Sequence, residues 1–233
     1  MICIICAMSE ERDAFIDIMD DIKETHLKNM MYHGSPFDNK CILGKIANKD
    51  VAVIHCGVGK VYASILTTLV IEQFKPELVI NVGCAGSLNK DINVGDVVIA
   101  DRVADWEIDV PGWERSIQSD KVSYACDGRF NKQVSKLTNN FTVKIGNIVS
   151  SDQFIYKKDQ VDEILEFFPN ALCGEMEGVA VAATCYAFMT RIAIVRSISD
   201  CTLVNDDYKN FDFNLELACK NAAKLCGDII KVY

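Results

Sequence analysis

Proline is scarce, with 4 in 233 residues, and histidine is scarcer still, with 3, at positions 26, 33 and 55. No tract rich in proline, serine and glycine interrupts the chain and no segment repeats, so there is nowhere for a linker to divide it. One catalytic domain over residues 1–233 is expected. Three histidines leave few ligands for a zinc site. No apolar run reaches the ~20 residues that a bilayer crossing needs, and the run from Ile2 to Met8 meets Glu10 and Glu11 at once. Neither membrane insertion nor secretion is expected, and a cytoplasmic location is. Positive charge is also in short supply: 24 Lys and Arg stand against 33 Asp and Glu, a formal net charge of −9. Such a surface repels a phosphate backbone, which argues against a nucleic-acid partner.

What the chain does have is a 50% hydrophobic content and 11 cysteines. The cysteines fall inside apolar runs, as at Cys3, Cys6, Cys56 and Cys173, without regular spacing. They read as small buried thiols in a reducing compartment. Cys3 and Cys6 form a Cys-x-x-Cys pattern, but the isoleucines between them mark a strand on which the two thiols face opposite sides of a sheet.

Short β-branched runs at residues 2–6, 51–56, 78–82, 96–100, 143–149 and 192–198 read as strands. Longer stretches with helical spacing lie between them, at residues 10–19, 61–74 and 215–230, with a further apolar helix at 179–188. This alternation marks an α/β domain. Ser9 is the expected N-cap of the first helix, and Pro76 closes the second. Residues 41–46 are expected to pair with 51–56 as a hairpin, which makes the sheet mixed. The polar stretch 106–129, with Pro111-Gly112, reads as a long excursion from the core, a place for a lid or an interface.

Polar residues gather where the apolar runs end: Glu10 and Glu11, Gly57-Val58-Gly59-Lys60, Gly83-Cys84-Ala85-Gly86-Ser87, Ser151-Asp152, and Arg196-Ser197-Ile198-Ser199-Asp200. Open α/β sheets bind ligands outside the carboxyl ends of their strands, so five distant segments converge on one pocket. The glycine segments lack the third glycine of a dinucleotide fingerprint, where Tyr62 stands, and Gly59-Lys60 lacks the frame of a P-loop. Gly83 to Gly86 suggest close backbone approach to a small planar ligand, or a tightly packed turn. In Cys173-Gly174-Glu175-Met176-Glu177-Gly178, two carboxylates flank a methionine just before a helix. If the segment is extended the carboxylates point the same way, as a diol-binding pair would; if it is helical they diverge and complement the helix dipole. For Asp200, burial would raise the pKa and make a proton donor, whereas Arg196 beside it would hold it ionised.

The blocks Ala7-Met8-Ser9-Glu10-Glu11, Gly57-Val58-Gly59-Lys60-Val61, Asn81-Val82-Gly83-Cys84-Ala85-Gly86, Asp152-Gln153-Phe154-Ile155, Glu175-Met176-Glu177 and Arg196-Ser197-Ile198-Ser199-Asp200 occur in the order of one family. Over nearly its whole length the chain resembles the 5'-methylthioadenosine/S-adenosylhomocysteine nucleosidases of the nucleoside phosphorylase superfamily. The resemblance implies a three-layer α/β/α sandwich around a central mixed sheet, and hydrolysis of an N-glycosidic bond that releases adenine from a 5'-thio-substituted adenosine. It implies no metal and no cofactor. It also implies that Asp200 acts on N7 of the leaving base with Ser199 orienting it, that Phe154 stacks on the base, and that the Ile155 backbone reads its edge. Glu177 would hold the ribose hydroxyls, with Glu175 beside it, and Met176 would pack on the sugar. Glu11 would activate the attacking water with Arg196 close by. Cys84, Ala85 and Gly86 would line the site, with Met8, Val58 and Phe211 on the sugar and 5' side. A homodimer is implied, with Val110 and Trp113 reaching the neighbouring subunit's site.

Two departures from the family pattern stand out: Cys84 replaces the usual serine near the water, and Pro111-Gly112-Trp113-Glu114 replaces an aromatic-glycine segment. The rival readings are a phosphorylase, which would need a basic cluster where Glu10 and Glu11 stand, another nucleosidase of the superfamily, and a non-catalytic nucleoside sensor. A sensor has no need of Glu11 and Asp200 together.

Overall fold

A computed structural model describes residues 1–28, 40–203 and 211–233; His33 and Asn39 lie outside the described residues. The first strand, β1 (Ile2–Cys6), is buried at every position. It runs parallel to both of its neighbours, β4 (Lys49–His55) and β5 (Leu78–Ser87). A strand covered on both faces reads as a continuous apolar run, which is why Ile-Cys-Ile-Ile-Cys contains no polar residue. Cys3 and Ile5 join the core on one face, Ile2, Ile4 and Cys6 the core on the other. The Cys-x-x-Cys thiols are thus separated by the sheet. Burial pushes the Cys3 thiol up to about 12, so it is a packing group rather than a redox one.

The remaining strands are β2 (Asp20–His26), β3 (Lys40–Ile46), β6 (Val97–Asp105), β7 (Ser123–Ala125), β8 (Val143–Ser150), β9 (Ala171–Glu175) and β10 (Ile192–Cys201). The hairpin expected at 41–46 and 51–56 is present as antiparallel β3 and β4. One mixed sheet results, in the order β10-β6-β8-β9-β5-β1-β4-β3-β2. It also closes on itself, because β10 pairs with β5 as well as with β6. Strands β5, β10, β6, β8 and β9 therefore form a ring, and β1, β4, β3 and β2 extend from it.

Helices cover both faces. On one lie α2 (Lys60–Phe74) and α5 (Gly178–Ala187), which contribute Leu66, Val70, Val181 and Cys185 to the first core. On the other lie α1 (Ser9–Ile16), α3 (Gly128–Gln133) and α6 (Phe211–Val232), which contribute Phe15, Phe130, Leu225 and Ile229 to the second. The left-handed Lys75 ends α2 immediately before Pro76.

Two expectations are corrected. Ser9 does not cap α1: the cap position is Met8, and the Glu11 carboxylate reaches back to accept the Met8 N–H at 3.0 Å. The stretch 106–129 is an excursion only in part, with residues 109–114 exposed and its flanks packed down. Trp106, Ile117 and Val122 are buried in a third core against Val161, Ile164 and Phe168 of α4 (Lys158–Phe167) and its end. Arginines tie it down, with Arg102 donating to the Ile117 carbonyl at 2.8 Å and Arg115 to the Trp106 carbonyl at 2.8 Å. Among the described residues no helix is long and apolar enough to cross a membrane.

Candidate active site

Parallel strands bring their carboxyl ends to one edge, and there the expected segments meet. A cavity of about 250 Å³ is lined by Met8, Glu11, Val58, Cys84, Ala85, Gly86, Phe154, Ile155, Glu175, Met176, Glu177, Ser199, Asp200 and Phe211. All of these were expected from the sequence. Ala7, Gln153 and Gly174 also line it and were not singled out. Gly174 had a signal that only the fold reveals, since a Cβ there would lie 2.4 Å from Ile155 Cδ1.

Glu11 sits in the first turn of α1, 4% exposed. Its Oε2 accepts the N–H groups of Ala7 at 2.8 Å and Met8 at 3.0 Å, and its Oε1 accepts the Cys84 N–H at 2.9 Å. Burial raises its pKa, opposed by the charge of Arg196 and by these three donors. The carboxylate fits only because residue 83 has no side chain: a Cβ there would stand 2.6 Å from Glu11 Oε1. The conformational reading of Gly83 as a site of close approach holds, but the group that approaches is a protein carboxylate.

Asp200 also lines the cavity, near the end of β10, 1% exposed. A register shift between Ile198 and Asp200 interrupts the pairing with β5. Such bulges re-aim side chains. Ser199 Oγ donates to Asp200 Oδ1 at 2.8 Å, and Asn214 of α6 donates to the Ser199 carbonyl at 2.8 Å.

The Glu-Met-Glu segment is neither wholly extended nor helical. Strand β9 ends at Glu175, and Glu177 is the cap residue of α5. The two carboxylates therefore have different surroundings. Glu175 is held by Arg196, by Ser150 Oγ, and by the N–H groups of Glu177 at 3.0 Å and Gly178 at 2.8 Å. It braces the strand-to-helix turn, and its oxygens are largely committed. Glu177 takes the Gly59 N–H at 2.8 Å, and its other oxygen lies 3.9 Å from Arg196. Burial and the neighbouring Glu175 charge raise the Glu177 pKa to about 8.

Arg196, expected among the substrate contacts, lines no part of the cavity. It is fully buried behind Glu175, and donates to the Asn81 carbonyl at 3.2 Å. Surrounding carboxylates hold its guanidinium charged. Val110 and Trp113 are also absent from the lining, and both are exposed. Over the mouth, Phe154 and Phe211 meet edge to face with centroids 5.9 Å apart. Cys84 lines the cavity beside Glu11, its sulfur 3.9 Å from that of Cys219. Among the described residues, no group of three His, Cys, Asp or Glu side chains is placed to hold a metal ion.

Two buried carboxylates from different elements in one largely apolar cavity, with an aromatic pair among its lining, suit cleavage of a bond between a flat base and a polyol. The comparisons agree. A family model described as the phosphorylase superfamily matches residues 1–231. A 5'-methylthioadenosine/S-adenosylhomocysteine nucleosidase of Staphylococcus haemolyticus (strain JCSC1435) is 34% identical over 100% of both chains. Among solved structures, a Borrelia burgdorferi B31 chain bound to adenine aligns over 100% of both chains at 28% identity, with a TM-score of 0.91. A Neisseria meningitidis 5'-methylthioadenosine/S-adenosylhomocysteine nucleosidase in complex with methylthio-immucillin-A aligns at 30% identity, covering 100% of this chain and 99% of its own, with a TM-score of 0.87.

Proposed function

The chain belongs to the 5'-methylthioadenosine/S-adenosylhomocysteine nucleosidases of the phosphorylase superfamily, and from that premise we propose how its residues carry out the reaction. It is an N-glycosyl hydrolase that releases adenine from 5'-methylthioadenosine and S-adenosylhomocysteine and leaves a 5-thioribose sugar. One observation carries the assignment of roles: two buried carboxylates from different elements, Glu11 and Asp200, line one cavity.

Cleavage passes through a cationic, oxocarbenium-like sugar, so the site must neutralise the departing base, stabilise the cation and supply water. Asp200, oriented by Ser199, gives its proton to N7 of adenine. Phe154 stacks on the base and the Ile155 backbone reads its edge. Glu177 accepts the ribose hydroxyls, and Met176 packs on the sugar face. Glu11 takes a proton from the attacking water, its three backbone donors fixing its orientation. Met8, Val58 and Phe211 enclose the 5' substituent. Glu175 and Arg196 act from behind, by holding the turn that presents Glu177. The reading extends to a single domain, and to a homodimer in which Val110 and Trp113 meet the partner. Exposed Val61 and Ile65, four residues apart on one face of α2, support an apolar interface there.

Water rather than phosphate is the nucleophile because, among the described residues, no Lys or Arg lines the cavity, and a phosphate entering it would face Glu11. The test is adenine release from both substrates in phosphate-free buffer and again with phosphate. Equal turnover with a free reducing sugar is expected; activity only with phosphate would make the enzyme a phosphorylase, and none in either buffer would favour a sensor.

A further inference from the structure

Beside the cavity, and outside its lining, one lysine stands among three carboxylates. Lys60 opens α2 with its side chain 17% exposed, and its Nζ lies 2.9 Å from Asp105 Oδ2, 3.0 Å from Glu107 Oε2 and 3.3 Å from Asp152 Oδ2. The partners come from the end of β6, the segment after it, and the segment after β8. A second set of bonds links them: the Glu107 N–H donates to Asp105 at 3.0 Å, the Asp152 N–H to Glu107 at 2.7 Å, and Gln153 Nε2 to Glu107 at 3.0 Å. The carboxylates hold Lys60 firmly protonated, and the Asp152 N–H, Lys60 and the Gln153 amide together outweigh burial and hold Glu107 below the usual carboxylate range.

The two chain segments joined by this hub both continue directly into the cavity. Next to Lys60, Gly59 donates its N–H to Glu177 and Val58 lines the wall. Next to Asp152, Gln153, Phe154 and Ile155 line it as well. One cation balances three anions here, so its removal leaves unopposed repulsion between Glu107 and Asp152 and separates the segments they carry. We propose that Lys60 is a positioning residue of the nucleoside site, fixing the base-facing segment 153–155 relative to the Gly59 donor that orients Glu177. The inference rests on the nucleoside reading of the cavity given above.

The test measures methylthioadenosine kinetics and adenine binding by calorimetry for the parent chain, Lys60→Met and Lys60→Arg. The expected result for Lys60→Met is a rise of about tenfold in KM and in the adenine Kd, the scale of one lost charge-assisted contact, with a smaller change in kcat. Raising NaCl from about 0.05 to about 0.5 M should recover part of the Lys60→Met loss by screening the carboxylates, and should leave the parent little changed. Lys60→Arg should stay close to the parent in KM. A Lys60→Met protein that melts earlier but keeps the parent KM and Kd would reduce Lys60 to a structural ion pair and overturn the proposal. If Lys60→Met does not fold, Asp152→Asn releases only the 153–155 arm, and an unchanged adenine Kd there overturns the proposal equally. A parent chain that neither binds adenine nor cleaves the nucleoside defeats the nucleoside reading and this role with it, whereas an active parent matched by Lys60→Met defeats the role of Lys60 alone.

Discussion

Replacing Glu11 by glutamine separates charge from shape at the position proposed to activate water. The glutamate accepts three backbone N–H groups, two on Oε2 and one on Oε1. A glutamine whose oxygen serves Ala7 and Met8 must turn its amide nitrogen toward the Cys84 N–H, setting donor against donor where a 2.9 Å bond now stands. Leaving one buried donor unsatisfied costs about 1–3 kcal/mol. An opposing effect is the relief of burying a charge: the raised pKa of Glu11 shows that its surroundings favour the neutral form more than water does. The two oppose each other, so the melting temperature should fall by no more than about 2–4 °C per net kcal/mol for a chain of this size. Turnover has no such compensation. An amide cannot take a proton from water, and the loss should be about 10²–10⁴-fold. Initial rates of adenine release at neutral pH, paired with thermal melts, separate the two effects. A folded Glu11→Gln protein turning over within about threefold of the parent, far short of the loss expected for a missing general base, would refute the assignment.

Asp200→Asn removes the proposed acid and should also cost about 10²–10⁴-fold in turnover while leaving adenine binding measurable by calorimetry. Gly83→Ala would set a methyl group against Glu11 Oε1, displace the base, and lower kcat by about 10²-fold, the cost of a misplaced catalytic group. Gly128→Ala, where a Cβ meets nothing within 4 Å, is the matched control and should leave the rate unchanged. Glu177 gives a pH signature. Its folded pKa of about 8 lies above the unfolded value of about 4.3, so the folded state binds the extra proton. Its contribution to stability is full below the unfolded pKa and is lost as pH rises through the folded one; melts from pH 4 to pH 9 should show this fall, and Glu177→Gln should flatten it.

Much of this architecture was legible because burial leaves a mark on composition. Strand β1 is wholly apolar because it is covered on both faces, and the same holds for most of β4, β5 and β10. Strand β2 was missed for the opposite reason. Asp-Asp-Ile-Lys-Glu-Thr-His is an edge strand, almost entirely exposed, whose charges discourage pairing with another chain and erase the alternation that would reveal it. The polar clusters at strand ends could be read as one site because parallel strands put their carboxyl ends on the same edge. What the residues alone left open was the division of labour inside the Glu-Met-Glu segment. The chain changes from strand to helix between Glu175 and Glu177, and the donors that consume Glu175 come from Ser150 and Arg196, both distant in sequence. The Lys60 hub was hidden likewise, since its partners lie 45, 47 and 92 residues away and no local spacing announces them.

The grouping of Glu11, Glu175, Glu177 and Asp200 around one cavity, with Arg196 the one buried cation behind them among the described residues, poses an electrostatic problem that the proposed chemistry resolves. Four ionised carboxylates and one guanidinium would leave a large uncompensated negative charge in a dry site, so some of the carboxylates must hold protons in the empty enzyme. The pKa of Glu177, pushed to about 8, is one expression of that pressure, and the upward shift of Glu11 is another. Arg196 pairs closely with Glu175 and stands 3.9 Å from Glu177, which leaves the cavity-facing groups under-compensated. In the proposed mechanism the cationic sugar supplies the missing positive charge at the moment of bond cleavage. The site therefore interacts more strongly with the transition state than with the neutral nucleoside, which is the condition for raising kcat rather than merely tightening binding. Adding a lysine to the cavity wall would relieve the empty enzyme and forfeit that difference. Val58→Lys, which places an ammonium at the cavity mouth, should accordingly stabilise the free protein at pH 9 and slow turnover; faster turnover, measured as adenine release, would contradict this account.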